Sequence, residues 1–318
     1  MGSLSIRDAP ISNNSPVTMA TLPPSSGGKS LLICGSIFAV LCTIWMVLRM
    51  YSRKVRNTCI YAEDWLVLAA LIFYYALLVN IFYLVIAAGL GHHDVDIPPH
   101  MIITLIKFSI PLNTLFTLSL GLVKCSICLT LSRIFFMPPY KQLALLSLLL
   151  AIFWTTAAII VIFATCRPVS ALWNPLTPGA VCSDTNRAIF ATNCADIVLD
   201  ALIVVLPLPV IIRLQVPRAN KIALVFLFAL GLITIGAGVL RAVALAKLQT
   251  DIAFDMVAPE LFCVCQVGIA IFIANSTVIR PVFDRIFGRW RCASENTCPR
   301  YPVSKSSDPD ARLPAGQV

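Results

Sequence analysis

Four ionisable residues lie inside long apolar stretches of this sequence, and their types and spacing could support chemistry. Asp196 and Asp200 are four residues apart, so a helix places both carboxyl groups on one face. Lys124 and Arg241 bring the opposite charge from other apolar stretches. Charges buried in an apolar medium are costly unless they pair, so pairing that fixes helix register is one role. A polar pocket that orients a mainly apolar ligand is a second role, and proton donation by the two Asp residues is a third.

These residues must be positioned by membrane-spanning helices. Charged residues make up 12% of the chain, against about 25% in soluble domains, and mean hydropathy is +0.88. Stretches of roughly 20 apolar residues, the length that crosses a bilayer, recur along the chain. We predict spans at 31–48, 65–88, 111–135, 143–166, 188–212, 222–245 and 261–279. Backbone in lipid must satisfy its own hydrogen bonds, and barrel-type alternation is absent, so the predicted fold is an all-α bundle of seven transmembrane helices.

Depth along the predicted spans indicates which charges meet. Lys124 and Asp200 fall near the middle of the third and fifth spans. Asp196 lies one turn further out on the same face as Asp200, at a depth similar to that of Arg241 in the sixth span. We therefore predict two interior ion pairs, Lys124 with Asp200 and Arg241 with Asp196.

The distribution of basic residues predicts an orientation. Lys and Arg are concentrated in the first, third and fifth connections and after the last span. The amino terminus is therefore predicted outside and the carboxyl terminus in the cytosol. The same rule accounts for the net charge of +9, so no nucleic-acid partner is predicted. The sequon at Asn13 then lies on the outer side, where glycosylation is expected.

Composition divides the chain into three parts. Residues 1–30 are rich in Ser, Pro and Gly, and we predict a disordered extracellular leader. Residues 31–287 form the predicted seven-helix membrane domain. Residues 288–318 are rich in Pro, Ser and charge, and we predict a disordered cytosolic tail.

Four of the twelve cysteines stand apart from the others, Cys166 and Cys182 around an outer loop and Cys292 and Cys298 in the predicted tail. Eight cysteines lie in or beside predicted helices, where Cys behaves as a small apolar residue. Cys166 and Cys182 instead bracket the outer loop 167–187, and we predict that a disulfide between them closes this loop.

The second connection gathers residue types that bind metals. His92 and His93 precede Asp94 and Asp96, and His100 follows. Solvated loop residues explain the same cluster, and we predict no metal site.

Several short motifs occur in an order that resembles one known family. They are Arg49-Met-Tyr-Ser-Arg53 with Glu63-Asp64-Trp65, Gly89-Leu-Gly91-His-His93, Lys124 with Ser126 and Arg133-Ile-Phe135, Cys166-Arg-Pro168 with Trp173 and Cys182, Asp200 with Pro207-Leu-Pro209 and Leu214, and Gly231 with Arg241. Together they resemble the fungal rhodopsin-domain family, seven-helix integral membrane proteins related to the Pth11-type receptors. The resemblance runs from about residue 31 to residue 287.

The chain departs from this family's pattern in the last span. Where relatives usually carry Trp and, four residues on, Glu, this sequence has Phe262 and Gln266. A role of that Glu in relatives would be lost or altered here. Rhodopsins hold retinal on a lysine of the seventh helix, but no lysine occurs between Pro259 and Arg280. No retinal and no other cofactor is therefore expected.

The resemblance implies a receptor-like or accessory integral membrane protein that binds a small amphipathic ligand. Some members of the family are encoded beside secondary-metabolite pathways, which implies an association with such a pathway. The alternative is a membrane-embedded isomerase or cyclase that acts on a lipophilic metabolite, with Asp196 and Asp200 as candidate acids. The expected partners are membrane lipids and a small lipophilic ligand or substrate. The plasma membrane suits a receptor, and the endoplasmic reticulum suits an enzyme equally well.

Overall fold

A computed structural model of the protein describes residues 23, 25–55, 59–134, 138–167, 181–182, 185–206, 218–247 and 251–294. Its helices are α1 (Ser26–Val55), α2 (Ala62–Ala87), α3 (Pro99–Ile134), α4 (Pro138–Ala164), α5 (Thr185–Val205), α6 (Arg218–Ala246), α7 (Ile252–Asp255) and α8 (Val257–Ser294). A single 3₁₀ turn covers Asp94–Asp96, and two short strands, β1 (Cys166–Arg167) and β2 (Val181–Cys182), pair antiparallel. Every helix except the one-turn α7 is long and apolar enough to cross a membrane. These helices number seven within the described ranges. The predicted all-α bundle of seven spans is confirmed.

Several helices are longer than their apolar stretches. Helix α3 begins at Pro99, so Pro111 lies inside the helix instead of at its start. Its 36 residues correspond to about 54 Å, well beyond a hydrocarbon core of about 30 Å. Hydropathy marks only the strongly apolar part of a helix, which is why the turns from Pro99 onward were missed. Likewise, α1 begins at Ser26 within the predicted leader.

The chain divides into two units, Met1–Ile279 and Arg280–Val318. The first unit holds the membrane bundle and all of the candidate site. In the second unit, residues 280–294 continue α8, so the first residues of the predicted tail, from 288, are helical. The remainder of that tail lies outside the described residues.

The first unit is organised around three central helices. Half or more of the residues in the apolar windows of α2, α3 and α8 are buried, whereas less than a third are buried in those of α1, α4, α5 and α6. The exposed residues of these outer helices are large and apolar, as at Val40, Phe153, Ile160 and Val198. Such a surface suits lipid and not water.

The short strands join α4 to α5 and mark one end of the bundle, which we call the hairpin end. In the β1–β2 ladder, Cys166 lies directly opposite Cys182. Directly opposed residues of antiparallel strands have Cα atoms about 4.5–5.5 Å apart, which is within the range that a disulfide spans.

The second connection folds against the segment before α8 at the same end. Gly89 and Gly91 have φ angles of 70° and 96°, a conformation that favours glycine. Their turn lets the Gly91 amide donate to the Ala253 carbonyl at 2.9 Å. His93 stacks on Phe254, with ring centroids 4.6 Å apart, and its Nδ1 lies 3.4 Å from Asp251 Oδ2. These contacts give His93 a structural role in the loop, and no His, Cys, Asp or Glu group suited to a metal occurs in the described ranges.

Candidate functional site

Lys124 is the centre of a buried charged cluster between α3 and α5. Its Nζ lies 2.5 Å from Asp196 Oδ1 and 2.9 Å from Asp200 Oδ1. The side chains of Lys124 and Asp196 are 3% and 0% exposed, and that of Asp200 is 12% exposed. The same ammonium donates to the Asp196 carbonyl at 3.2 Å. The predicted pair of Lys124 with Asp200 is present, and Asp196 is a second partner of the same cation.

Gln266 of α8 completes this group, which we call the Lys124 cluster. Its Nε2 donates to Asp196 Oδ2 at 3.0 Å and lies 3.5 Å from Asp200 Oδ2. Gln266 is fully buried, and its Oε1 has no hydrogen-bond partner. The side-chain NH2 group has two donors and so serves both carboxyl groups, whereas a Glu at this position would have no donor when ionised and one when protonated.

Arg241 does not make the predicted ion pair with Asp196, so that prediction was wrong. Its Nη1 donates to Asn193 Oδ1 at 3.3 Å, and its Nη2 donates to Asn113 Oδ1 at 3.2 Å. The guanidinium carbon lies 3.8 Å from the centroid of the Phe116 ring. Asn193 is three residues before Asp196 on the same helix face, so it meets Arg241 first.

The asparagine amides are held in fixed orientations. Asn193 Nδ2 donates to the Gly238 carbonyl at 3.2 Å, and Asn113 Nδ2 donates to the Ser109 carbonyl at 2.9 Å. Each amide nitrogen is thus occupied, so each amide oxygen faces the guanidinium. Arg241 itself is buried, and its Nε has no hydrogen-bond partner.

Two small adjoining cavities lie beside Arg241 and form what we call the Arg241 groove. The inner cavity, of about 20 Å³, is lined by Arg241, Asn193 and Trp154 among others. The outer cavity, of about 30 Å³, extends past Val161 and Ala188 toward the hairpin end. Both are lined by four shared residues, Asn113, Ile162, Ile189 and Thr192. The groove therefore combines apolar walls from α4 and α5 with polar groups from α3, α5 and α6.

Trp154 separates the groove from the Lys124 cluster. Lys124 Nζ lies 4.8 Å from the centroid of the Trp154 ring, and the indole nitrogen donates to the Thr192 carbonyl at 3.1 Å. One face of this residue thus belongs to the charged cluster, while its ring also lines the inner cavity. A ligand in the groove would contact Trp154 before it reached Lys124.

A second charged cluster lies at the opposite end of the bundle. Arg49 Nε is 2.7 Å from Asp64 Oδ1, and Arg53 contacts both Asp64, at 3.1 Å, and Glu63, at 2.9 Å. Arg133 Nη1 lies 3.3 Å from Glu63 Oε1. These contacts join α1, α2 and the end of α3, and they fix the helices relative to each other.

Sequence reasoning missed the uncharged members of the site. Asn113, Asn193 and Trp154 carry no charge, so a search for paired charges in apolar stretches could not find them. A polar amide in the middle of a span was the available signal, since such groups need partners in lipid. The search also missed Glu260 in the first turn of α8, which is buried and whose Oε2 has no hydrogen-bond partner.

The remaining predicted site residues lie at the edge of the described structure. Cys166 is buried beside β2, and the side chain of Cys182 lies outside the described residues. Asn13, the predicted glycosylation site, also lies outside them.

Comparison with known proteins gives one family and two relatives. The family model described as "Fungal rhodopsin domain" matches residues 48–285. The chain is 26% identical over 278 residues to the "Polyenoic acids biosynthesis gene cluster protein Ba17b" of Metarhizium anisopliae, covering 83% of this chain and 76% of that protein. It is 28% identical over 162 residues to the "Fugralins biosynthesis cluster protein 2" of Gibberella zeae, covering 47% of this chain and 40% of that protein. No solved structure gives a significant match.

Proposed function

We propose that this chain, which belongs to the fungal rhodopsin domain family, is a receptor-like or accessory membrane protein that binds a small amphipathic ligand. The family prediction made from the motifs is confirmed, and so is the integral membrane character. Both named relatives are proteins of biosynthesis clusters, one of them for polyenoic acids. An association of this chain with a secondary-metabolite pathway follows from that likeness as part of the proposal.

The Arg241 groove is the observation that carries the proposal. Small-molecule sites are mainly apolar concavities with a few polar groups that fix the ligand's orientation. Here, Ile162 and Ile189 supply apolar walls, while Arg241 and Asn193 supply polar groups at the inner end. The two cavities, of about 20 and 30 Å³, hold only the polar end of an amphipathic molecule, whose apolar part must lie along the lipid-facing surface of α4 and α5.

The geometry favours binding over catalysis. An enzyme that protonates a lipophilic substrate needs a carboxyl group that can reach the substrate. Asp196 is fully buried, with one oxygen against Lys124 and the other against Gln266. Asp200 likewise contacts Lys124, so both carboxyl groups of the Lys124 cluster are engaged by a cation, which favours a structural role over that of the predicted acid.

The proposal extends to orientation and covalent features. An outside amino terminus places the hairpin end on the outer side, because α1 starts at that end. The opposed positions of Cys166 and Cys182 support a disulfide that closes the outer loop. Glycosylation at Asn13 would then occur on the same side. A receptor would reside in the plasma membrane, and an accessory protein of biosynthesis in the endoplasmic reticulum.

Deletion of the gene in the fungus of origin, followed by untargeted metabolite profiling, tests this function. The deletion strain is restored with the unchanged gene, with Ile162→Trp, which fills the groove, or with Ile160→Trp. Ile160 is 65% exposed on the same helix and serves as the matched control. We expect the deletion to change the metabolite profile or the response of the fungus. Ile160→Trp should restore the original profile or response, and Ile162→Trp should not.

Isolated membranes supply the second part of the test. Each strain's membranes are incubated with lipophilic extracts of the deletion strain. We expect no conversion of any extract component by the unchanged protein. Consumption of one precursor by the unchanged protein alone would establish an enzyme, and full restoration by Ile162→Trp would exclude the groove as the functional site.

A further inference from the structure

We propose that Arg241 binds the anionic head group of the ligand, and that this head group is a carboxylate. The inference rests on the proposed function, since it assigns a chemical class to the same ligand. It makes Arg241, and not the Lys124 cluster, the residue that selects what enters the groove. The apolar part of the ligand then lies along α4 and α5.

Charge pairing separates Arg241 from the other buried basic residues. In the described part of the chain these residues are Arg49, Arg53, Lys124 and Arg241. The first three each contact at least one carboxylate, at 2.5–3.1 Å. Arg241 does not form an ion pair with any acidic residue of the described ranges. Its hydrogen bonds go to neutral amides. Asp196 and Glu260 attract its charge only from beyond ion-pair distance. A buried cation in lipid normally has a counter-ion in direct contact, so a bound anion would complete this site.

The guanidinium is held in place by its neighbours, and one of its nitrogens has no hydrogen-bond partner. The oxygens of Asn113 and Asn193 orient Nη1 and Nη2, while Phe116 packs on the flat face. Nε is buried and has no partner, and Arg241 lines the inner cavity. The Nε edge of a guanidinium can give a carboxylate two parallel hydrogen bonds, one from Nε and one from a terminal nitrogen.

The cavity volumes indicate the size of the head group. The inner cavity of about 20 Å³ holds little more than one small polar group, since a water molecule needs roughly 10–15 Å³ of such space. A carboxylate fits this limit, whereas a sugar or a ring system does not. The tail must then extend past Ile162 and Ile189 to the outer, lipid-facing surface, where Ile160 and Phe190 are exposed.

Binding of linoleic acid and its methyl ester to the purified full chain tests the inference. The chain is placed in phosphatidylcholine nanodiscs, which hold no anionic lipid, and radiolabelled ligand is measured against empty discs. The two probes share one tail and differ in the head group. We expect the acid to bind saturably and at least about tenfold more tightly than the ester, the range of a charge-assisted hydrogen bond.

Variants assign the preference to Arg241. Arg241→Gln should remove the preference for the acid, so that acid and ester bind with similar affinity. Lys247→Gln removes an exposed charge from the end of the same helix and should change neither. Ile162→Trp should weaken binding of both probes. The comparison of acid with ester in the unsubstituted chain stands even if Arg241→Gln does not fold.

The outcomes separate this inference from the proposed function. Equal binding of acid and ester, with Ile162→Trp weakening both, would overturn the carboxylate assignment and leave the groove as a binding site. No saturable binding of either probe would overturn the carboxylate inference, and the gene-deletion experiment would still decide the proposed function. Loss of acid binding in discs that contain phosphatidylglycerol would identify the bound anion as a phospholipid head group instead.

Discussion

The ammonium nitrogen of Lys124 lies 2.5 Å from a carboxylate oxygen of Asp196, and both side chains are almost completely buried. Asp200 shares the same ammonium at 2.9 Å. One cation of α3 thus holds two carboxyl groups of α5 that lie one turn apart. The two carboxyl groups outnumber the one ammonium group. Gln266 of α8 supplies the additional donor that both carboxyl groups use.

Replacement of Lys124 should be more damaging than replacement of either carboxylate. Lys124→Met leaves Asp196 and Asp200 facing each other without a cation, and breaking a buried ion pair costs about 3–5 kcal/mol. Adding Asp196→Asn should recover part of the loss, because one of the two like charges is removed. The measurement is the thermal unfolding midpoint of the purified protein in detergent.

Lys107→Met is the matched control for this series. Lys107 lies on the same helix and is exposed, so its replacement should leave the midpoint nearly unchanged. A double variant, Lys124→Met with Asp196→Asn, that is no more stable than Lys124→Met would contradict the shared-cation arrangement.

Gln266→Glu, which introduces the residue that the family resemblance leads us to expect at this position, should destabilise this chain. The substitution would bring a third carboxylate against Asp196 and remove the amide donor. Gln142→Glu, at an exposed position of α4, makes the same chemical change without a buried neighbour. We expect a lower unfolding midpoint for Gln266→Glu alone. Equal midpoints for the two variants would show that the amide of Gln266 is not required.

The charged cluster at the other end of the bundle makes a similar prediction for Asp64. This carboxylate contacts Arg49 at 2.7 Å and Arg53 at 3.1 Å, and it also accepts the Tyr61 amide at 3.0 Å. Asp64→Asn should therefore lower the free energy of unfolding by about 3–5 kcal/mol. Asp251→Asn alters a half-exposed pair with His93 and should cost less than about 1 kcal/mol. Chemical or thermal unfolding of both variants distinguishes them, and similar losses would contradict the structural role of Asp64.

The number of spans and the Lys124 to Asp200 contact could be predicted from sequence, because both depend on position along a helix axis. Long apolar stretches fix which residues cross the membrane, and counting inward fixes depth. The wrong pairing of Arg241 shows where this method stops. Depth along the span placed Arg241 level with Asp196 of α5. Depth does not give the rotation of each helix about its axis, and that rotation places Asn193 and Asn113 against the guanidinium.

The cluster of Arg49, Arg53 and Asp64 shows a second limit. The positive-inside rule explained these arginines by their location alone, so their contacts with Asp64 and Glu63 were not predicted. Helix α3 also begins earlier than predicted, since its first turns are helical without being strongly apolar. Hydropathy reports the lipid boundary, whereas the end of a helix depends on capping and packing.

The proposed disulfide predicts one shared defect for two residues. Cys166→Ser, Cys182→Ser and the double substitution should lower the unfolding midpoint equally, because each removes the same bond. The loss should be about 2–4 kcal/mol, and a reducing agent should produce it in the unchanged protein only. Peptide mass mapping without reduction should show the two residues linked. Additive losses in the double variant would contradict the bond.

A close approach between α3 and α4 makes the last prediction. A Cβ added at Gly121 would lie 2.7 Å from Thr155 Cγ2, so Gly121→Ala should force the two helices apart. Gly236→Ala on α6 is the matched control, since nothing beyond its chain neighbours and the local backbone of its own helix lies within 4 Å of its added Cβ. Alanine favours a helix over glycine by about 1 kcal/mol, so this control should be neutral or stabilising. We expect a lower midpoint for Gly121→Ala and an unchanged or higher one for Gly236→Ala, and a stabilising effect of Gly121→Ala would contradict the packing. Because α3 and α4 both line the Arg241 groove, Gly121→Ala should also weaken binding of linoleic acid and its methyl ester alike.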